Sequence, residues 1–150
     1  FFRSPFFLSP STTTPALTLS SEKKKRPHDK TPQITSEAEV ARILPIAKAL
    51  SVPITFRAAG TSLSGQAITD SVLLKLSHTG RAFRSHEVHG DGSRVTVEPG
   101  LIGGEVNAIL ARHARKHKLP VQYKIGPDPS SIDSCMVGGI VSNNSSGMCC

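Results

Sequence analysis

The stretch Arg57-Ala58-Ala59-Gly60-Thr61-Ser62-Leu63-Ser64-Gly65-Gln66 decides how this chain is read. It follows Val52-Pro53-Ile54-Thr55-Phe56, whose β-branched and aromatic content predicts a buried strand. It precedes a second strand-like run, Ser71-Val72-Leu73-Leu74-Lys75-Leu76. Between the two, small side chains and two glycines let the backbone turn tightly and let another molecule approach its peptide N–H groups. Consecutive N–H groups aimed into one concavity form an anion site suited to a phosphate or diphosphate. An ordinary glycine-rich strand connection fits this loop equally well when it is taken alone.

Better-known loops are excluded by single residues. Gly60 and Gly65 have P-loop spacing, but Gln66 stands where the lysine belongs and Ala67 where Ser/Thr belongs. The nucleophile elbow G-x-S-x-G fails because Ser64 replaces its second glycine. No G-x-G-x-x-G occurs in the chain, so the Rossmann fingerprint is absent.

Upstream, Ser36 followed by Glu39 fits a capping box. Val40, Ile43, Leu44, Ala47 and Leu50 then recur at helical intervals and predict one apolar face. Pro45 interrupts that helix, at a cost of about 3 kcal/mol unless a kink absorbs it. Downstream, Val72 to Leu76 is dense enough in apolar residues for a strand covered on both faces. Phe83 to His89 and Arg94 to Glu98 flank Asp91-Gly92, a hairpin signal. Leu101 to Lys118 returns to a helical pattern with Leu101, Val106, Ile109 and Leu110 apolar, and its basic end suits the helix's negative pole. His113 and His117 lie four apart there without an acidic or cysteine partner, so a solvated helix end is read and no metal site is assigned.

A second small-residue segment closes the chain. Gly126-Pro127-Asp128-Pro129-Ser130-Ser131 is turn chemistry. It leads to Met136-Val137-Gly138-Gly139-Ile140-Val141 and then Ser142-Asn143-Asn144-Ser145-Ser146-Gly147. Two segments of this kind flanking one β-rich unit suggest a single extended ligand held from both sides. An elongated dinucleotide fits.

Composition sets the remaining bounds. The formal charge of +7 is uneven: residues 1–35 carry six basic and two acidic side chains, the rest twelve and nine. The folded part is therefore only mildly basic, which argues against nucleic acid as the partner. Residues 1–31, with Phe1-Phe2-Arg3, Phe6-Phe7-Leu8 and a Ser/Thr-rich run to Ser21, read as a disordered or transit-like segment. Mitochondrial or other organellar import would follow from a transit segment, and a cytoplasmic location otherwise. Lys23-Lys24-Lys25-Arg26 is read as solvated charge. Cys135, Cys149 and Cys150 form no metal spacing and no even disulfide framework, so reduced thiols are expected. No apolar run approaches the roughly 20 residues that span a bilayer. The chain opens on Phe1 and stops at Cys150 without a terminating element, so a fragment is expected.

Taken together, Pro53 to Gly65, Pro127 to Ser131 and Gly138 to Asn144 resemble the FAD-binding domain of the vanillyl-alcohol oxidase/p-cresol methylhydroxylase (PCMH) class. Within it the chain looks most like the FAD-linked 2-hydroxyacid dehydrogenases, among them D-lactate dehydrogenase, glycolate oxidase and D-2-hydroxyglutarate dehydrogenase. The resemblance implies an α+β fold of mixed β-sheets with flanking helices over 32–150, truncated at its C-terminal side. It implies that Arg57, Ala58, Ala59, Gly60, Thr61, Ser62, Leu63, Gly65 and Gln66 form a loop around the FAD diphosphate. Pro127, Asp128, Gly138, Gly139, Ser142, Asn143 and Asn144 match the segment along flavin, ribityl and phosphates. Some members attach flavin through a histidine in the first loop; Thr61 occupies that position, so noncovalent FAD is expected.

The implied activity is oxidation of a D-lactate-like D-2-hydroxyacid, with electrons leaving FAD for a cytochrome, a quinone or an iron–sulfur acceptor. The ending Asn143 to Cys150 is similar to long members that carry an iron–sulfur cluster in a downstream region. In this class the substrate-binding and proton-accepting groups come mostly from parts beyond this chain, so no catalytic residue is named and the piece alone is expected to be inactive. The rival readings are another flavin oxidase of the same fold, a basic RNA-binding segment, and a remnant that does not fold. The RNA reading lacks interleaved aromatics, with one tyrosine and no tryptophan.

Overall fold

The computed structural model describes residues 31–77 and 82–147. The transit-like reading of the N-terminus, the Lys23–Arg26 cluster and the Cys149-Cys150 pair lie outside the described residues.

Three short strands, β1 (Gln33–Ile34), β2 (Ile54–Arg57) and β3 (Val72–Leu76), form a parallel sheet in the order β1-β3-β2. Helix α1 (Glu37–Ala49) joins β1 to β2. Its start is the expected one: the Ser36 hydroxyl accepts from Glu39 N–H at 3.3 Å, and the Glu39 carboxylate reaches back to Thr35 N–H at 2.7 Å. The Thr35 backbone bond, then its hydroxyl, hold Glu39 below the usual carboxylate range.

Four expectations change here. Pro45 does not end α1, because Ala41 and Pro45 are both exposed and water can take the carbonyl that loses its donor. The apolar face is narrower than its spacing suggests: Val40, Ile43 and Ala47 are half-buried, whereas Leu44 and Leu50 are exposed. Strand β3 is not covered throughout; Leu74 and Leu76 are buried but Val72 is 37% exposed. Strand β2 begins only at Ile54, since Pro53 has no N–H for the ladder, and Phe56 is exposed.

The second layer is a hairpin and a helix. Strands β4 (His86–His89) and β5 (Arg94–Val97) pair antiparallel, with His86 opposite Val97 and His89 opposite Arg94. Gly92, at φ 84°, donates to His89 C=O at 2.9 Å, and the Asp91 carboxylate accepts from Ser93 N–H at 3.0 Å. The Asp-Gly hairpin is therefore present, although β4 starts three residues after Phe83. Helix α2 (Gly103–His117) buries Val106, Leu110 and Ala114, one residue per turn. His113 Nε2 lies 3.0 Å from Gly90 C=O, so that ring nitrogen donates and ties the hairpin tip to the helix. Among the described residues no cluster of three or more His, Cys, Asp or Glu could hold a metal ion. None of their helices is long and apolar enough to cross a membrane.

Two apolar cores result. One contains Ile34, Leu74, Leu76 and Met136; the other contains Leu101, Val106 and Leu110, with Val88, Val95, Val97 and Val137 packed on it. Short antiparallel pairing between Leu101–Gly103 and Cys135–Val137 joins them. Val137 N–H donates to Leu101 C=O at 2.8 Å and Gly103 N–H to Cys135 C=O at 3.0 Å. Beside this seam, Gly138 N–H donates to Pro99 C=O at 3.0 Å, and a Cβ on Gly138 would lie 2.8 Å from Pro99 Cβ.

Two stability outcomes follow from these contacts. Gly138→Ala should lower unfolding free energy by roughly 1–3 kcal/mol through overpacking against Pro99, read from denaturant midpoints. Glu105 accepts from Ile102 N–H at 3.1 Å and pairs with Arg84 at 2.7 Å through both oxygens, and these contacts lower its pKa in that order of cause. Its side chain is 45% exposed, so Glu105→Gln should cost only about 1 kcal/mol at neutral pH. A depressed folded-state pKa means this contribution is complete above the unfolded value and vanishes as pH falls through the folded one. Melting curves of the two proteins should therefore converge in strongly acidic buffer.

Candidate functional site

Where the sheet core meets the inter-core seam, the first loop and the short helix α3 (Val137–Ser142) face one another across a cavity of about 550 Å³. That size falls within the roughly 300–1,000 Å³ of small-molecule and cofactor sites. Ala58, Ala59, Gly60, Thr61, Ser62 and Gln66 line it from the first segment. Gly138, Gly139, Ser142 and Asn143 line it from the second. Segments about eighty residues apart in the chain thus share one concavity, as an extended ligand held from both sides requires. A Cβ on Gly139 would lie 3.8 Å from Ala58 Cβ, in ordinary contact, so the two walls stand about one methyl group apart at this point.

The loop's shape is set by its own short contacts. Gly60 sits at φ 74° and Gly65 at φ 80°, values a side chain resists. The Ser62 hydroxyl bonds the Gln66 side chain, Ser64 N–H donates to Ser62 Oγ at 3.4 Å, and Ile68 N–H closes a turn on Gly65 C=O at 3.0 Å. On the facing wall, Asn143 ends α3 by donating from its N–H to Gly139 C=O at 3.0 Å.

The remaining candidates stand off the cavity wall. Leu63 is fully exposed at the loop tip, and Gly65 shapes the turn from outside. Pro127 is exposed, and the Asp128 carboxylate accepts from Lys124 Nζ at 3.0 Å. Asn144 is an exposed residue in the left-handed conformation just past α3. Arg57 lies behind the loop: a Cβ on Gly60 would meet its guanidinium, 2.6 Å from a terminal nitrogen and 2.7 Å from Cζ.

The apolar back wall escaped the sequence reading. Ile34, Leu76, Phe83 and Met136 line it, and no pattern in the sequence says so. Phe83 packs beside Gly100, seventeen residues further along the chain, a proximity that no local pattern shows. It adopts φ 55°, an outlier for a bulky residue, and its C=O accepts from Gly100 N–H at 2.8 Å. Among the described lining residues Cys135 is the one ionisable side chain, a buried free thiol. The cavity therefore pairs an apolar wall with uncharged hydroxyl, amide and peptide groups. Among the described residues no acidic, basic or imidazole side chain lines it.

Comparison with known proteins agrees with this geometry. A glycolate oxidase subunit, GlcD, from Escherichia coli strain K12 is 32% identical over 114 residues, which are 75% of this chain and 21% of that protein. The GlcD of Escherichia coli O6:H1 matches to the same extent. An alkyldihydroxyacetonephosphate synthase structure superposes with a TM-score of 0.56 at 19% identity, covering 77% of this chain and 22% of its own. The chain thus spans about a fifth of the length of these relatives, and the synthase likeness speaks for the fold alone. The family model described as FAD binding domain matches residues 31–150, so the chain belongs to the FAD-binding domain family, in its PCMH-type branch, and FAD is its cofactor.

Proposed function

We propose that the cavity between the first loop and α3 holds FAD noncovalently, and that the protein oxidises a D-2-hydroxyacid and passes electrons to a separate acceptor. The observation that carries the reading is the convergence of two small-residue segments on one cavity without charged walls. Backbone amides of Ala58 to Gly65 would face the diphosphate, with Gly139, Ser142 and Asn143 along the opposite side. The apolar wall of Ile34, Leu76, Phe83 and Met136 suits the ring system better than the phosphates.

When bound, FAD supplies the two-electron acceptor; the chain's own residues bind it, orient it and exclude water from its apolar side. Thr61 stands at the position of the flavin-linking histidine and offers no imidazole nitrogen, which supports noncovalent attachment. The hydroxyacid substrate draws on the likeness to GlcD, a glycolate oxidase subunit. A cytochrome, a quinone or an iron–sulfur centre would serve as acceptor. Another substrate on the same fold is the competing reading, and a turnover panel of 2-hydroxyacids, alcohols and amines with an artificial acceptor separates them.

The purified protein should show the visible flavin band, and acid precipitation should release that band into the supernatant. Flavin pelleting with the protein would contradict noncovalent attachment, and a colourless folded protein would contradict the site. Gly139→Val, which places methyl groups between Ala58 and α3, should cut flavin affinity by about tenfold or more with far-UV circular dichroism unchanged. Gly60→Val should lose flavin as well. Its positive φ and the guanidinium beneath it mean the damage there comes with loop distortion, visible as a lower melting temperature.

A further inference from the structure

No charged side chain among the described residues lines the cavity, yet the proposed ligand carries a doubly anionic diphosphate. Arg57 is the cation beneath the loop. It is the last residue of β2, its guanidinium packs against Gly60, and it is not among the residues that line the cavity. Its Nε is sealed from solvent with no hydrogen-bond partner. In the parallel ladder Arg57 lies opposite Lys75, so two like charges share one register position on the sheet. Neither is in an ion pair among the described residues. Burying an arginine nitrogen unpaired and opposite a second cation costs stability, and no described acidic side chain pairs with either charge. An anion across the loop would offset the charge, though not the unpaired nitrogen.

We propose that Arg57 is a positioning residue for the diphosphate. It acts through the Gly60 turn, holding the loop open from behind and adding a fixed positive field to the peptide dipoles that face the ligand. This rests on the FAD reading of the cavity. The guanidinium makes no direct contact with the cofactor; its plane supports Gly60 and its charge is felt through one layer of backbone, close enough to solvent for salt to screen it in part. Arginine suits the place because its charge is permanent and its head is flat.

The test compares FAD with riboflavin, which shares the flavin ring and ribityl chain and lacks both phosphates. Affinities are read by flavin fluorescence over a salt series for the wild-type chain, Arg57→Met, Arg57→Lys and Lys75→Met. Wild-type FAD affinity should fall as salt rises while riboflavin affinity stays level. Arg57→Met should weaken FAD by about tenfold at low salt, flatten its salt dependence and leave riboflavin unchanged. Arg57→Lys should recover the salt dependence. Lys75→Met removes the same net charge away from Gly60 and should weaken FAD by less than Arg57→Met.

Equal loss of FAD and riboflavin in Arg57→Met would overturn the proposal, leaving Arg57 a packing residue. So would equal losses in the two methionine variants, which would assign the effect to net charge. If Arg57→Met does not fold, the wild-type salt series and Arg57→Lys decide: salt-independent FAD binding in the wild type sinks the idea. Failure of the wild-type chain to bind either flavin would instead strike the site assignment itself.

Discussion

The paired backbone of Leu101–Gly103 and Cys135–Val137 is the constraint on which the rest of the structure depends. Met136 and Val137 are neighbours in the chain, yet Met136 is buried in the sheet core and Val137 packs on the helix–hairpin core. Leu101 and Ile102 divide in the same way. Alternation of side chains along an extended backbone makes this possible, and two short strands side by side therefore serve both cores at once. The first loop reaches the same place by a different route, since Ala58 and Ala59 pack on the Met136 core immediately after β2 ends. The cavity is the gap left where these two arrivals meet.

Its electrostatics follow from that origin. A gap between a strand end and a tight seam is lined by backbone and by whatever small side chains the close approach allows. Such a surface offers peptide groups in place of charged side chains, and where their N–H groups converge an anion can be held without the desolvation cost of a buried salt bridge. The charged groups sit a layer back or on the rim: Arg57 behind the loop, Arg84 paired with Glu105 across the α2 start. Among the described residues no acidic, basic or imidazole side chain lines this wall.

Much of this was legible in the sequence, and the failures share a cause. The α1 cap, the Asp91-Gly92 hairpin and the buried stripe of α2 are local features, governed by residues within a few positions of one another. The convergence of the two small-residue segments was also legible, because two of them, either one ambiguous alone, flank a single β-rich unit. Pro45 misled because its cost depends on solvent exposure, a tertiary fact. Leu44 and Leu50 misled because spacing fixes a helix face without saying how wide a partner covers it. Phe83 read as the start of an extended run and Met136 as the head of the second glycine segment, and neither pattern says that the side chain lines a cavity. Arg57 was grouped with the loop amides by adjacency; only the register of β2 against β3 and the turn at Gly60 put its head underneath.

Helix α3 has six residues and two glycines, a composition with almost no helical tendency of its own. Its form is imposed by the seam before it and by Pro99, which receives the Gly138 amide. The orientation of the Gly139 and Asn143 backbone is thus borrowed from residues some forty positions earlier in the chain. Heredity acts on the lender as well as the borrower: a lineage that altered Pro99 or Leu101 would reshape the cofactor wall while every residue in that wall stayed the same.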